Sequence, residues 1–172
     1  MKHFDLVPPA EFDPKVAILI ATLHDSTREW KGELGEPTED AIVWQPYENG
    51  PSIGGQLLHL IGVASYWFET FLAKSPRPEG ERELLMADQI NVDNHFWPTP
   101  PRQPIKWYYD LLDTVRARAL TALSNVDVNL TLPMDEKYEF TTPWVIGHVV
   151  QHDSYHGGQA VLLHEMYKRM AT

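Results

Sequence analysis

The chain has 172 residues, 14 Lys and Arg against 24 Asp and Glu for a formal net charge of −10, and no cysteine. The missing cysteine excludes disulfides, thiolate metal sites and a cysteine nucleophile, and the acidic balance argues against nucleic-acid partners, whose affinity rests on clustered Lys and Arg. A composition of 43% hydrophobic and 22% charged residues is that of a folded globular chain, expected as a single domain over residues 1–172.

The chain opens on MKHFDLVPPAEFD, with Asp5, Glu11 and Asp13 and no basic start followed by an apolar run, so a secretion signal is not expected. The longest apolar run, Val16 to Ala21, is far below the roughly 18 to 20 residues of a membrane span. The expectation is a cytoplasmic location with no membrane partner. Proline is expelled from helix interiors, so long proline-free windows mark where helices can run. Four such windows follow directly on a proline: 15–36 after Pro14, 52–75 after Pro51, 105–132 after Pro104 and 144–172 after Pro143. Asp13 and Thr142 add capping side chains to two of these starts.

The first window carries Val16, Leu19, Ile20, Leu23, Trp30 and Leu34 at the three and four spacing of one helix face. The second repeats it at Ile53, Leu57, Leu60, Ile61, Ala64, Phe68, Phe71 and Leu72, and the third at Ile105, Tyr108, Leu112, Val115, Ala119 and Leu123. The fold class predicted is all-α, a four-helix bundle with one long crossover between helices two and three, over 76–104. That crossover has room for a short helix near Glu81 to Ile90. Leu130 to Leu132 and Tyr138 to Phe140 can form a small hairpin around Pro133.

The fourth window places histidines on its core stripe: Val145, His148, Val149, His152, His156, Gln159, Leu163 and Met166. Residues four apart on a helix lie one turn apart, so His152 and His156 can offer two imidazoles to one cation. His59, in GQLLHLIG, lies between Leu58 and Leu60 in the second window and is expected to face inward as well. A single histidine on an apolar face is ordinarily a hydrogen-bonded core residue. Several together favour a shared divalent cation, which satisfies all the imidazoles at once. HDSYH lacks the glutamate of the zinc-protease HExxH, which removes that reading.

HVVQHDSYHGGQ in the last window, with WQPYENGPSIGGQLLHLIG at the start of the second, resembles the DinB/YfiT-like superfamily of metalloenzymes. The resemblance spans nearly the whole chain, through the Trp44 to Pro46 turn, one histidine in the second helix and an HxxxH that ends in a GQ pair. It implies a four-helix bundle in which His59, His152 and His156 hold the metal, with His148 beside them. It also implies activity as a metal-dependent hydrolase, or as a transferase of low-molecular-weight thiols. One departure is Gly157, where many relatives carry a bulkier, often basic residue.

Three nitrogen ligands leave coordination positions open, the pattern of catalytic sites. A divalent metal there can lower the pKa of water or activate a thiolate. Imidazoles suit zinc or nickel, and also iron. With no cysteine in the chain, any thiol comes from a small-molecule substrate. His148, one turn from His152, is the candidate catalytic acid or base. Asp153, Tyr155 and Glu69 are further candidates, set against the solvation that is the usual fate of charged helix residues. Gln159 is placed to hydrogen-bond a ligand imidazole, and His95, beside Trp97, to line a pocket mouth. Gly157 and Gly158 inside a helix point either to close packing or to open space for a substrate. The competing function is a non-catalytic bundle that binds a metal or ligand and pairs into a homodimer through surface aromatics, of which the chain has many.

Overall fold

A computed structural model describes residues 4–170; His3 lies outside the described residues. Helix α1 runs Pro14–Leu34, started by Asp13, whose carboxylate accepts the Lys15 backbone N–H at 2.8 Å. It stops at Gly35, whose φ of 63° only glycine adopts freely, with the Gly35 N–H donating to the Lys31 carbonyl. A short helix α2, Glu39–Val43, is capped by Thr38. Helix α3, Ile53–Ser65, begins at Ser52, whose hydroxyl accepts the Gly55 N–H at 3.1 Å. It then widens into a π-helical segment over Tyr66–Leu72. Helix α4 is a single turn, Glu81–Leu84, and α5 runs Ile105–Leu123 directly after Pro104. Strands β1, Thr131–Pro133, and β2, Glu139–Thr141, pair antiparallel with Leu132 opposite Phe140, and α6 spans Thr142–Met170.

Helix α6 lies along α1 and α3, α3 also packs on α5, and the π segment joins α5 and α6. The three and four spacing read from the sequence is the buried face on α1, at Val16, Ile20, Leu23, Trp30 and Leu34 with Leu19 half-buried, and on α5, at Ile105, Tyr108, Leu112, Val115, Ala119 and Leu123; on α6 burial ends at Leu163 and Met166 is exposed. Asp153 of α6 is 2% exposed and ties three helices together. It accepts from Trp30 Nε1 at 2.9 Å and Thr27 Oγ1 at 3.0 Å on α1, and from Arg116 Nη2 at 2.5 Å on α5.

Two expectations change on contact with the structure. The fold is predominantly helical but not all-α, because the hairpin forms a two-stranded sheet. Within the window 105–132 the helix ends at Leu123, the last residue of its apolar stripe. There Ser124 Oγ and Asn125 Nδ2 both donate to the Thr121 carbonyl, the local competition that ends helices, and the following residues turn towards β1. In the long crossover only Glu81–Leu84 is helical, and Asn91 and Phe96 form an isolated bridge. No helix among the described residues is long and apolar enough to cross a membrane.

Candidate metal centre

Helices α3 and α6 bring three imidazoles together. One nitrogen from each of His59, His152 and His156 lies within 4.8 Å of the others. Ring centroids are 4.9 Å apart for His59 and His152, 4.6 Å for His59 and His156, and 4.2 Å for His152 and His156. The two α6 histidines stand one turn apart, as their spacing requires, and His59 meets them because α3 packs on that face. His156 is buried, while the other two rings retain partial exposure.

The electrostatics suit a ligand set of neutral imidazoles. Burial pushes the His59 imidazole down to about 4, with the nearby His156 ring adding to the shift. His152 is pushed down to about 3, again chiefly by burial and then by the rings of His156, His59 and His148. Burial lowers His156 too. All three lone pairs are therefore free at neutral pH. His152 Nδ1 is buried with no hydrogen-bond partner among the described residues, an orphan that a cation satisfies and an apolar core does not. On that observation the residues fit a metal ion.

Gln56, one turn before His59 on α3, faces His156: the His156 Nδ1–H donates to Gln56 Oε1 at 2.5 Å. This bond keeps the proton on Nδ1 and leaves the lone pair on Nε2. The sequence assigned such a role to Gln159, whose side chain does bear on the His156 imidazole and raises it against the effect of burial, although Gln159 Oε1 lacks a hydrogen bond of full geometry among the described residues. The signal for Gln56 was present as a polar residue three positions before a histidine in an otherwise apolar helix. Trp97 covers the cluster, its ring 5.6 Å from His59 and 6.4 Å from His156, whereas its neighbour His95 is exposed.

His148 stands outside the three-histidine group. Its ring stacks on Trp144 at 5.1 Å, meets Trp67 edge-on and lies 5.9 Å from His152. Tyr155 is 63% exposed and touches His156 edge-on. The other acid–base candidates are committed elsewhere: Asp153 to the α1 and α5 network, and Glu69 to a buried ion pair in which Arg118 Nε donates at 2.7 Å. Gly157 lies against the Trp30 indole so closely that a Cβ would overlap it, whereas Gly158 has open space around it on the exposed surface. Packing accounts for the first glycine; nothing in the structure explains the second.

These features define a helical protein with a convergent, neutral three-histidine site set between two long helices. The sequence profile of the DinB superfamily matches residues 14–160, and the chain belongs to that superfamily. No curated protein matches the chain.

Proposed function

We propose that the protein is a metal-dependent enzyme whose four long helices act as a four-helix bundle holding a divalent cation, zinc or nickel with iron as a third option, on His59, His152 and His156. The observation that carries this reading is the buried, partnerless His152 Nδ1 inside a cluster of neutral imidazoles. When bound, the cation supplies Lewis acidity to water or to a low-molecular-weight thiol, for hydrolysis of a small molecule or thiol transfer to it. The chain's own residues do the rest. Gln56 fixes the His156 tautomer, and Trp97 shields the cluster from solvent on one side. His148, the next ring along α6, accepts the proton released by the nucleophile. Its imidazole is lowered by burial, so it is neutral and able to take a proton at pH 7.

A cavity bordered by His59, though not by His152 or His156, favours an enzyme over a purely structural metal site, since it gives a small molecule room beside one of the three imidazoles. Elemental analysis of the purified protein tests the metal assignment. The parent is expected to retain about one ion per chain and the triple alanine variant of His59, His152 and His156 none. Equal metal in both ends the assignment. Metal-loaded protein incubated with ester and amide substrates, and with electrophiles beside several thiols, then separates hydrolase from transferase.

A further inference from the structure

Beside His59 the structure holds a cavity of about 210 Å³. One wall is α3, with Leu58 and Val63; the other comes from the crossover, with Arg77, Arg82, Leu85 and Ile90. Two guanidinium groups thus line an otherwise largely apolar cavity, while the carboxylates of the same segment, Glu79, Glu81, Glu83 and Asp88, are not among the lining residues. Only one carboxylate answers them. Arg82 donates from Nε and Nη2 to Asp88, while Arg77, half-buried, makes no hydrogen bond or ion pair among the described residues and feels Asp88 only through space.

The arginine wall is anchored rather than loose. Glu81, next to Arg82, is 5% exposed and accepts from the Ser65 hydroxyl at 2.8 Å and from Arg118. Leu85, one turn on, is buried in the core and reaches towards Gly62 of α3. Arg82 therefore leaves a fixed piece of backbone. Guanidinium groups match the two oxygens of a carboxylate or phosphate in a plane; Arg77 is half-buried and free to do so, whereas Arg82 is 58% exposed and an anion there competes with Asp88 for it. The volume lies below the roughly 300–1,000 Å³ of pockets for drug-sized ligands, so it takes a small molecule.

We propose that this cavity binds an oxyanion, carboxylate or phosphate, on a short apolar body. Arg77 and Arg82 take the charged end, the α3 wall takes the body, and the far end lies at His59. That this molecule is the substrate rests on the metal-enzyme reading above; the anion site itself stands on the arginines.

The test is calorimetric titration with hexanoate, hexyl phosphate and 1-hexanol. It uses the parent, Arg77→Gln, Arg82→Gln, the double variant and the two lysine variants, each metal-loaded and chelator-treated. At least one anion is expected to bind the parent more tightly than hexanol. The double glutamine variant should lose roughly tenfold or more of that affinity, with partial recovery in the lysine variants and no change for hexanol. The tighter of the two anions identifies the head group. NMR signals of the His59 imidazole should shift with the anion in the parent and not in the double variant; no shift in the parent would overturn the placement at His59. The proposal is also overturned if hexanol binds as tightly as both anions, or if the glutamine variants bind them like the parent. Should the double variant fail to fold, the single variants decide in the same way. Arginine-dependent binding in a protein that takes up no metal keeps this site and removes the metal reading; metal uptake without arginine dependence does the reverse.

Discussion

Gln56 and His156 lie a hundred positions apart in the chain and meet at 2.5 Å, the amide oxygen accepting from the imidazole Nδ1–H. A buried ring held in one tautomer is a better ligand than one that must first choose. Gln56→Leu removes the acceptor and leaves the fold's apolar contacts in place. Metal affinity is expected to fall about 10–100-fold, and the metal-free protein should lose about 1–3 kcal/mol, because the His156 Nδ1–H is left buried without an acceptor. Competition against a chromogenic chelator measures it; unchanged affinity would show that the bond has no influence on the site.

His148 gives the complementary outcome. It stacks on Trp144 outside the three-histidine group, so His148→Gln should leave the metal content at the parental level. If His148 carries the proton, turnover of any substrate found should drop about 10²-fold or more, and the pH–rate profile should lose one limb. A variant that loses metal as well would make His148 part of the ligand set.

The metal-free protein should be sensitive to mild acid. His59 and His152 titrate near 6.5 when unfolded but at about 4 and about 3 when folded, so below pH 6.5 the unfolded chain binds more protons than the folded one. Stability is therefore complete above about pH 6.5 and declines as pH falls towards 3. Urea midpoints measured from pH 7.5 to 4 should show this slope in the parent. A double asparagine variant of the two residues should show a shallower one.

Asp153→Ala leaves the Arg116 guanidinium buried without its counter-charge and removes acceptors from Trp30 and Thr27. Breaking a buried pair of this kind costs about 3–5 kcal/mol. Urea denaturation measures the loss, and the fraction that stays folded should still bind metal, since Asp153 does not belong to the histidine group. A surface-like effect below about 0.5 kcal/mol would contradict the buried network.

The adjacent glycines of α6 should respond with opposite sign. Gly157→Ala drives a methyl into the Trp30 indole and so also disturbs the indole bond to Asp153, an overpacking loss of about 1–3 kcal/mol. Gly158→Ala meets nothing within 4 Å and should stabilise by about 0.5–1 kcal/mol through helix propensity. Thermal melts of the two variants separate them directly.

What could be read from the sequence was what depends on spacing. Pro14 with Asp13, and Pro104, fixed helix starts because proline geometry is local, and the four-residue step from His152 to His156 is a property of any α-helix. His59 could be nominated from its apolar neighbours, although its meeting with the other two needed the docking of α3 on α6. Glu69 and Asp153, candidate acids or bases weighed against solvation, are instead buried in ion pairs. Their partners, Arg118 and Arg116, sit on another helix whose rotation no local pattern reveals. The π segment was also hidden, since Phe68, Phe71 and Leu72 look the same in an α-helical stripe. The arginine pocket was invisible for the same reason: it exists only where a crossover folds back on α3.

The division of the histidines between α3 and α6 has a consequence for how the protein matures. A nascent chain that has emerged only as far as α5 carries His59 but neither of its partners, so on the proposed reading a metal is captured only after α6 has emerged. Once all three are in reach, an ion across them acts as a reversible cross-link, closing a loop whose entropy grows only slowly with its length and adding its binding free energy to that of folding. The supply of metal at the moment α6 docks on α3, rather than the order of helix formation, would then set how much of the protein becomes competent.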